Sequence, residues 1–357
     1  MKVLLFTLEY EPFKGGVANY YKNLFRYWPE GENISVLFKN YLSRRLKHFL
    51  YWRDLCREYR KNKFDYILVG QLLPLGSVTY LFSKIFRIKY AVFIHGMEIS
   101  PFVAGGRKSA LVKKILFRAD KIITPNNFTA KLIADILGEQ NEKIVVVSPG
   151  IAERPVVDAA RLMSLKNINN LNGEAILFSL GRLVKRKGFD TVIQALNTLA
   201  VNDLEKIKYV IAGTGPDENY LRALVLEYPR LKDHVLFIGE ISDVDKWSWL
   251  DLCAIFIMPA RNIAGDFEGF GIVYLEANLS RKAVIAGRSG GVPDAVIDGV
   301  NGFLVDPDDK EVLAAKILQL LNDDRLRLEL GQNGYERVTR DFKWADKIFQ
   351  IYKAINL

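Results

Sequence analysis

Short apolar runs alternate with longer amphipathic stretches along almost the whole chain, and this alternation restricts the fold more than any other feature. It is typical of α/β domains, in which buried parallel strands are connected by surface helices. The runs form two series, and 357 residues are enough for two domains of ordinary size. The sequence therefore predicts two Rossmann-like domains with strands at 3–8, 35–38, 66–69, 90–94, 121–124, 144–147, 176–180, 209–212, 235–238, 254–258, 284–286 and 302–305.

The domain boundaries follow from the two series. We expect an N-terminal domain over 1–155, a linker over the polar segment 156–173 and a C-terminal domain over 174–343. The last stretch, 344–357, is amphipathic, and we expect a helix that packs back on the N-terminal domain. Ligands of such folds bind outside the carboxyl ends of the strands, so the sequence predicts a ligand site that faces a cleft between the domains.

The composition excludes several classes of site. Cys56 and Cys253 are the only cysteines, so there is no disulfide framework and no thiolate metal cluster. The three histidines, His48, His95 and His234, are far apart and lack the spacing of metal ligands. No run of about 18 apolar residues predicts a membrane span. We also expect no cleaved secretory signal, which would carry a longer apolar run and a small-residue cleavage site. A reducing cytoplasm is the expected compartment.

The positive charge is concentrated in the first half of the chain. Residues 1–150 contain 24 Lys and Arg against 12 Asp and Glu, although the whole chain carries a net charge of only +9. Two stretches, 44–63 and 107–118, are especially basic, and the first of them contains four aromatic residues. A basic, aromatic and amphipathic helix of this kind can lie on an anionic membrane surface. Nucleic-acid binding and a solvated helix face are the alternatives, and no nucleic-acid motif accompanies the charge.

Two glutamates frame the most informative motif, Glu268-Gly-Phe-Gly-Ile-Val-Tyr-Leu-Glu276. Glycines tolerate backbone conformations that other residues avoid, and helix-forming sequence resumes at Ile272. The amide groups of a helix N-terminus, together with the helix dipole, favour a phosphate. Carboxylates beside such a site are suited to accept hydrogen bonds from sugar hydroxyls. A purely structural pair of glutamates is the alternative interpretation.

Glycine-rich turns follow three other predicted strands. Gly15-Gly16 precedes a helical run and could bring the backbone close to an anion. Gly213-Thr-Gly215 resembles a dinucleotide fingerprint, but Glu218 occupies the third glycine position, so we interpret it as a plain strand-to-helix turn. The third turn runs from Gly181 to Gly188 and carries four cations. We select Arg182 and Lys187 as phosphate ligands and interpret Lys185 and Arg186 as solvent-exposed.

Taken in order, these motifs resemble the retaining nucleotide-sugar glycosyltransferases of GT-B fold, glycosyltransferase family 4 or group 1. The resemblance covers the start of the first half and nearly the whole second half. It implies an α/β, GT-B architecture with two Rossmann-like domains facing a central cleft. It is carried by Gly15-Gly16, Gly181-Arg182, Lys187-Gly188, Gly213 to Pro216, Phe237 to Ile241, Met258-Pro259, Glu268 to Glu276, Gly290 to Asp294, Gly299 and Asn301-Gly302.

The resemblance also implies roles for individual residues. Arg182 and Lys187, with Gly181, would neutralise the departing diphosphate, and Gly15 and Gly16 would contact it from the N-terminal side. Glu268 would hold the hydroxyls of the donor sugar, and His95 would lie near the transferred sugar. The remaining donor contacts would be the backbone at Ile241 to the base, Glu276 to the ribose, the amides of Phe270 and Gly271 to the sugar, and those of Ile272 and Val273 to the phosphate.

The chemistry implied by the resemblance is transfer with retention of configuration, by front-face attack. The transition state resembles an oxocarbenium ion while the diphosphate gathers negative charge. Fixed cations and amides stabilise that charge, so we expect no metal and no other cofactor. Asp243 and Asp245 resemble a metal-binding pair, but we interpret them as acidic residues at a helix start. No residue stands out as a covalent nucleophile.

The motifs around Met258 and Ala286 look most like those of the phosphatidylinositol-mannoside-type mannosyltransferases. GDP-mannose is therefore the favoured donor, and a lipid-linked or glycan acceptor in cell-envelope synthesis is expected, with docking on the inner face of the cytoplasmic membrane. UDP-glucose and UDP-N-acetylglucosamine donors are alternatives. So are a phosphorylase, a non-catalytic module that binds nucleotide sugars or membranes, and a dehydrogenase based on Gly213 and Gly215.

Overall fold

The chain forms two compact units, Met1–Gly150 with Phe342–Leu357, and Ile151–Asp341. The structure is a computed structural model that describes residues 1–12, 15–41, 46–103, 105–138, 142–171 and 173–356. None of the helices in these ranges is long and apolar enough to cross a bilayer.

The first unit is built on a six-stranded parallel sheet in the order β2-β1-β3-β4-β5-β6. Alternate residues of its inner strands enter two different apolar clusters: Leu4 and Phe6 face one side, and Val3 and Leu5 face the other. Both faces of the sheet are therefore covered, as expected for parallel strands. The strands are β1 Lys2–Thr7, β2 Asn33–Phe38, β3 Tyr66–Val69, β4 Lys89–Phe93, β5 Lys121–Thr124 and β6 Ile144–Val146.

The helices that precede Gly150 lie between these strands. They are α1 Gly16–Arg26, α2 Lys47–Asn62, α3 Leu75–Phe86, α4 Ser100–Val103, α5 Arg107–Arg118 and α6 Asn127–Leu137. The buried sides of α2, α3 and α5 share one apolar cluster, in which Tyr51, Phe82 and Ile115 are almost fully buried.

The second unit contains another six-stranded parallel sheet, in the order β12-β11-β10-β7-β8-β9. Its strands are β7 Ala175–Leu180, β8 Ile207–Ala212, β9 Val235–Gly239, β10 Ile255–Met258, β11 Ala283–Gly287 and β12 Gly302–Val305. Its helices are α7 Ala159–Ile168, α8 Phe189–Thr198, α9 Val201–Leu204, α10 Glu218–Glu227, α11 Asp243–Leu252, α12 Ile272–Leu279, α13 Val292–Ala295, α14 Lys310–Asn322 and α15 Asp324–Asp341. All twelve predicted strands are confirmed, with boundaries that differ by at most two residues.

The last helix, α16 Trp344–Asn356, returns to the first unit. Trp344, Ile348, Ile351 and Ile355 are buried in the same apolar cluster as Val3 and Leu5. Trp344 also lies against Gly150, where an added Cβ would come within 2.6 Å of the indole ring.

The segment 156–173, predicted as a linker, contains helix α7. This helix belongs to the second unit, where Arg161 pairs with Asp245 of α11 at 2.7 Å. The segment gives no strand signal because residues 159–168 are helical, and Leu165 is the buried residue of this helix. Asn172 lies outside the described residues.

Candidate functional site

The loop after β7 carries the predicted phosphate ligands. Gly181 follows the strand, Arg182 is exposed, and Lys187 lies in a short 3-10 helix, Lys185–Lys187. Gly188 ends this helix with a φ of 74°, and a Cβ on it would lie 2.2 Å from the carbonyl oxygen of Pro259. A glycine is therefore required at Gly188 both by conformation and by space.

The loop after β8 packs against the loop after β7. A Cβ on Gly213 would lie 2.0 Å from the Gly181 carbonyl oxygen, and one on Gly215 would lie 2.3 Å from that of Leu183. The Leu183 amide donates to the Thr214 carbonyl at 2.9 Å. These glycines allow two strand-end loops to pack backbone on backbone, which agrees with the interpretation of 213–215 as a strand-to-helix turn.

Glu268 forms the centre of a compact charged cluster. Lys187 Nζ lies 2.6 Å from its Oε2, and Arg186 Nη1 lies 2.8 Å from the same oxygen. Arg186 also pairs through Nε with Oδ1 of Asp266 at 3.1 Å. Burial raises the pKa of Glu268, but Lys187 and Arg186 outweigh it, so the pKa of this carboxyl lies below its usual value. The structure thus keeps Glu268 ionised.

Arg261 stabilises the turn 181–188, which carries Lys187 and Arg186 and which we call the cationic turn. Its amide donates to the Arg186 carbonyl at 2.8 Å, and its Nε donates to the Lys185 carbonyl at 3.0 Å. Its guanidinium also makes two bonds to Asp190, of 2.7 and 2.6 Å. The backbone of the cationic turn is therefore held in place by an ion pair that is itself largely buried.

Helix α12 begins directly after the glutamate loop. Gly271 has a φ of 81°, and a Cβ on it would lie 2.3 Å from the ring of Tyr274. Phe270 is buried, whereas Ile272 and Val273 are partly exposed and supply first-turn amides that have no acceptor within the helix. A helix N-terminus with open amide groups therefore lies next to Glu268, and its binding of a phosphate stays a prediction.

Glu276 lies one turn further along α12 and has a partner of its own. Lys246 Nζ of α11 is 2.6 Å from Glu276 Oε1, and both side chains are largely buried. Ile241 lies in the loop between β9 and α11 and is half-buried. Asp243 and Asp245 lie in the first turn of α11, where Ser242 caps the Asp245 amide, so their interpretation as helix-start residues is confirmed.

In the first unit, His95 follows β4 and makes an informative hydrogen bond. Tyr21 Oη donates to the Gly70 carbonyl at 2.5 Å, and His95 Nε2 lies 2.7 Å from the same Tyr21 oxygen. Because the single hydroxyl proton is already used, His95 Nε2 must be the donor. Burial lowers the pKa of His95 and Glu98 opposes the shift, so the imidazole is neutral, with Nδ1 as an acceptor.

His95 also lines a cavity of about 330 Å³ at the carboxyl edge of the sheet. Glu9, Gln71, Glu98 and Phe102 are among the other lining residues. Gly15 and Gly16 lie at the start of α1, and no atom of the described residues would come within 4 Å of a Cβ built on either of them.

Sequence reasoning missed three residues. Arg186, interpreted as solvent-exposed, has only 19% of its side chain exposed and contacts Glu268, so that interpretation is wrong. Lys246 and Tyr21 were not selected, although each contacts a predicted site residue. Their partners lie 30 and 74 residues away in sequence, and no motif signals such pairings.

The two basic stretches lie largely on α2 and α5 of the first unit, and α3 packs against both of these helices. Tyr51 is buried, and Trp52 and Tyr59 pack against Phe82, so these aromatic rings face the core rather than the solvent. The exposed face instead combines cations with other apolar side chains, and Arg44 and Arg45 lie outside the described residues. We call this face the cationic surface, comprising Phe49, Arg53 and Arg57 of α2, Leu81, Lys84 and Ile85 of α3, and Leu111, Lys113, Lys114 and Phe117 of α5.

Two family models match the chain one after the other. The model described as Glycosyltransferase Family 4 matches residues 2–154, and the model described as Glycosyl transferases group 1 matches residues 164–337. Together they account for most of the chain, and the two matches do not overlap.

Individual relatives agree with these models. The GDP-mannose-dependent monoacylated alpha-(1-6)-phosphatidylinositol monomannoside mannosyltransferase of Corynebacterium glutamicum is 27% identical, over 80% of this chain and 74% of the relative. The GDP-mannose-dependent alpha-(1-6)-phosphatidylinositol monomannoside mannosyltransferase of Mycobacterium tuberculosis is 30% identical, over 70% of this chain and 65% of the relative. Among solved structures, Anabaena HepE in complex with UDP superposes with a TM-score of 0.81 at 18% identity, and all of both chains is covered.

Proposed function

This chain belongs to the glycosyl transferases of group 1, and on that basis we propose that it moves a hexose from a nucleoside-diphosphate sugar, preferably GDP-mannose, to a lipid-linked or glycan acceptor with retention of configuration. The observation that carries the proposal is the charged cluster of the second unit. It places a cation, Lys187, and an ionised carboxylate, Glu268, beside the N-terminus of α12.

The cluster has the parts that glycosyl transfer needs. A diphosphate would meet Lys187, Arg182 and the first amides of α12, and the sugar hydroxyls would donate to Glu268. Lys187 and the amides stabilise the charge of the leaving diphosphate as the bond to the anomeric carbon breaks. Glu276 would accept from the ribose hydroxyls, and the backbone at Ile241 would meet the base.

The preference for GDP-mannose is supported by the two mannosyltransferase relatives, whose names state that donor. A UDP-sugar is the second candidate, because the Anabaena protein with the same fold is in complex with UDP. Transfer without a metal is part of the proposal, since fixed cations can stabilise the leaving group by themselves.

A thermal-shift series tests the donor. The protein would be heated with GDP, UDP, ADP and their common sugar conjugates, with and without EDTA, since ligands that bind the folded state raise its melting temperature. We expect a shift selective for GDP and GDP-mannose that persists in EDTA. A UDP-selective shift would mean that the donor is a UDP-sugar and would leave the proposed reaction unchanged. A shift abolished by EDTA would overturn metal independence, and the absence of a shift with any nucleotide would overturn the proposal.

Retention is tested on the sugar itself. Slow hydrolysis of the bound donor, followed by proton NMR, reveals the configuration of the anomeric carbon at the moment of release. We expect the released sugar to carry the donor's configuration first and to equilibrate later. Initial release of the opposite anomer would show inversion.

The proposal places the enzyme at the cytoplasmic face of a membrane, where a lipid-linked acceptor would be available. It is supported by the cationic surface, since lysines and arginines mixed with exposed apolar side chains favour anionic lipid headgroups. Phe49, Ile85 and Phe117 are 64%, 58% and 48% exposed. A groove of about 640 Å³ lined by Lys84, Lys113 and Phe117 lies within this surface.

A further inference from the structure

One arginine of the charged cluster has no part in the proposed reaction, although it touches the carboxylate that would hold the sugar. Arg186 shares the Oε2 atom of Glu268 with Lys187 and reaches Asp266 as well. We infer that Arg186 is a positioning residue, which keeps Glu268 fixed for the donor sugar when Lys187 turns to the diphosphate. The inference rests on the proposed function and deepens it.

The two cations would respond differently to a bound donor. Lysine carries a compact charge on a flexible stem. Lys187 lies alongside Gly181, where an added Cβ would be 3.5 Å from Lys187 Cε, so its ammonium is next to the strand end where the diphosphate is expected. A diphosphate there attracts the ammonium, and Glu268 then loses one of its two partners.

The loss of Lys187 as a partner would destabilise the ionised Glu268 unless another cation stays beside it. Only 12% of its side chain is exposed, so water does not replace a missing cation. A buried carboxylate left without a partner is strongly destabilising. The remaining partner therefore decides whether Glu268 stays ionised and in place for the sugar.

The contacts of Arg186 favour its staying beside Glu268 when a donor binds. Its planar guanidinium contacts Glu268 and Asp266 at once, which a single ammonium cannot do with the same geometry. Its carbonyl oxygen accepts from the Arg261 amide, and Arg261 is held in turn by Asp190. Movement of the Arg186 side chain toward a diphosphate would break its contacts with Glu268 and Asp266.

Few charged and titratable groups of the described residues face Glu268. They are Lys187 and Arg186 on the cationic turn, Asp266 through Arg186, and the Tyr274 hydroxyl of α12. Because Lys187 and Arg186 hold the pKa of Glu268 below its usual value, removing Arg186 raises that pKa. Protonation of Glu268 removes the acceptor for the sugar hydroxyls, so binding of the donor sugar weakens as the pH falls. This weakening should begin at a higher pH in a variant without Arg186 than in the wild-type protein.

The test compares R186Q, R186K and K185Q by isothermal titration calorimetry with GDP and GDP-mannose, or with UDP and UDP-glucose if the wild-type protein prefers them. Lys185 is the matched control, since it lies on the same turn over the ring of Tyr220 and makes no contact with Glu268 among the described residues. R186Q should weaken binding of the nucleoside diphosphate, because its diphosphate also draws Lys187 away from Glu268, and should weaken binding of the nucleotide sugar by about tenfold more, because the contacts of the sugar with Glu268 are lost as well.

In R186Q the extra loss of affinity for the nucleotide sugar should grow as the pH is lowered toward the usual titration range of a carboxyl group, in line with the loss of a cation beside a carboxylate. R186K should recover part of the affinity, and K185Q should bind both ligands like the wild-type protein. If R186Q fails to fold, R186K alone carries the test through its own selective loss for the nucleotide sugar.

Equal weakening of both ligands would overturn the inference, because Arg186 would then be a phosphate contact. Unchanged binding in R186Q and R186K would overturn it too. A wild-type protein that binds no nucleotide sugar would instead overturn the proposed function, and the inference with it.

Discussion

A single hydroxyl proton decides what His95 can offer to a ligand. Because Tyr21 donates that proton to the Gly70 carbonyl, the imidazole proton must lie on Nε2, and Nδ1 is left to accept. A neutral acceptor of this kind can receive a hydrogen bond from a sugar hydroxyl but cannot neutralise a phosphate. In the reaction proposed above, we therefore expect His95 to orient a sugar hydroxyl.

Replacing Tyr21 with phenylalanine should release this constraint. In Tyr21→Phe, His95 loses its fixed partner and should populate both tautomers, and the free energy of unfolding should fall by about 2 kcal/mol through the loss of two buried hydrogen bonds. Nitrogen-15 shifts of the imidazole ring measure the tautomer directly, with His48 and His234 as internal controls. A wild-type spectrum with the His95 proton on Nδ1 would contradict the assignment.

At the scale of elements, the start of α12 depends on a glycine that no other residue can replace. Gly271→Ala places a side chain at a φ of 81° and within 2.3 Å of the Tyr274 ring. Gly299→Ala is the matched control, because Gly299 has a φ of 73° and open space around its Cβ position.

G299A should cost only the conformational penalty of about 1–2 kcal/mol, whereas G271A should cost at least about 1 kcal/mol more through the clash. G271A should also lose nucleotide-dependent stabilisation, because the first turn of α12 shifts. Urea unfolding of both variants, with and without GDP, measures these effects. Equal losses in the two variants would show that the contact with Tyr274 is easily relieved.

Helices α3 and α5 contribute most of the cationic surface, so charge reversal there tests membrane docking. K113E/K114E should reduce binding to vesicles with anionic lipid by about tenfold or more at low salt, because each basic residue contributes roughly 1 kcal/mol near such a surface. K39E/K131E makes the same charge change in the first unit outside that surface and should bind nearly like the wild-type protein. Sedimentation with anionic and neutral vesicles over a salt series provides the measurement, and equal partitioning to both kinds of vesicle would refute docking.

Predictability from sequence differed between elements and side-chain contacts. The strands were predictable because each is a short apolar run buried on both faces of a parallel sheet, as in β3, where all four residues are buried. Glu268 and Gly271 were predictable because a glycine-rich turn and a helix start are adjacent in sequence. Arg186, Lys246 and Tyr21 were not, because each derives its significance from a partner brought close only by the fold.

At the scale of the whole molecule, α16 makes the first unit depend on residues that follow the second. Truncation after Asp341 would remove four buried apolar side chains, Trp344, Ile348, Ile351 and Ile355, and each contributes about 1.5–3 kcal/mol when fully buried. The first unit should therefore become susceptible to limited proteolysis while 151–341 stays resistant and still binds nucleotide. Mass spectrometry of the fragments identifies which unit survives, and a truncated chain as resistant as the full one would contradict this dependence.

The same return of α16 to the first unit has a consequence for synthesis on the ribosome. Domains generally fold as units, N-terminal first, while the chain emerges. Here the sheet made first lacks its closing helix until residues 344–356 have been translated, whereas 151–341 is already complete. The order of completion is thus reversed relative to the order of translation, and the nascent first unit exposes the apolar groove for α16 until residues 344–356 have emerged. A chaperone that covers such grooves would act on this protein during that interval.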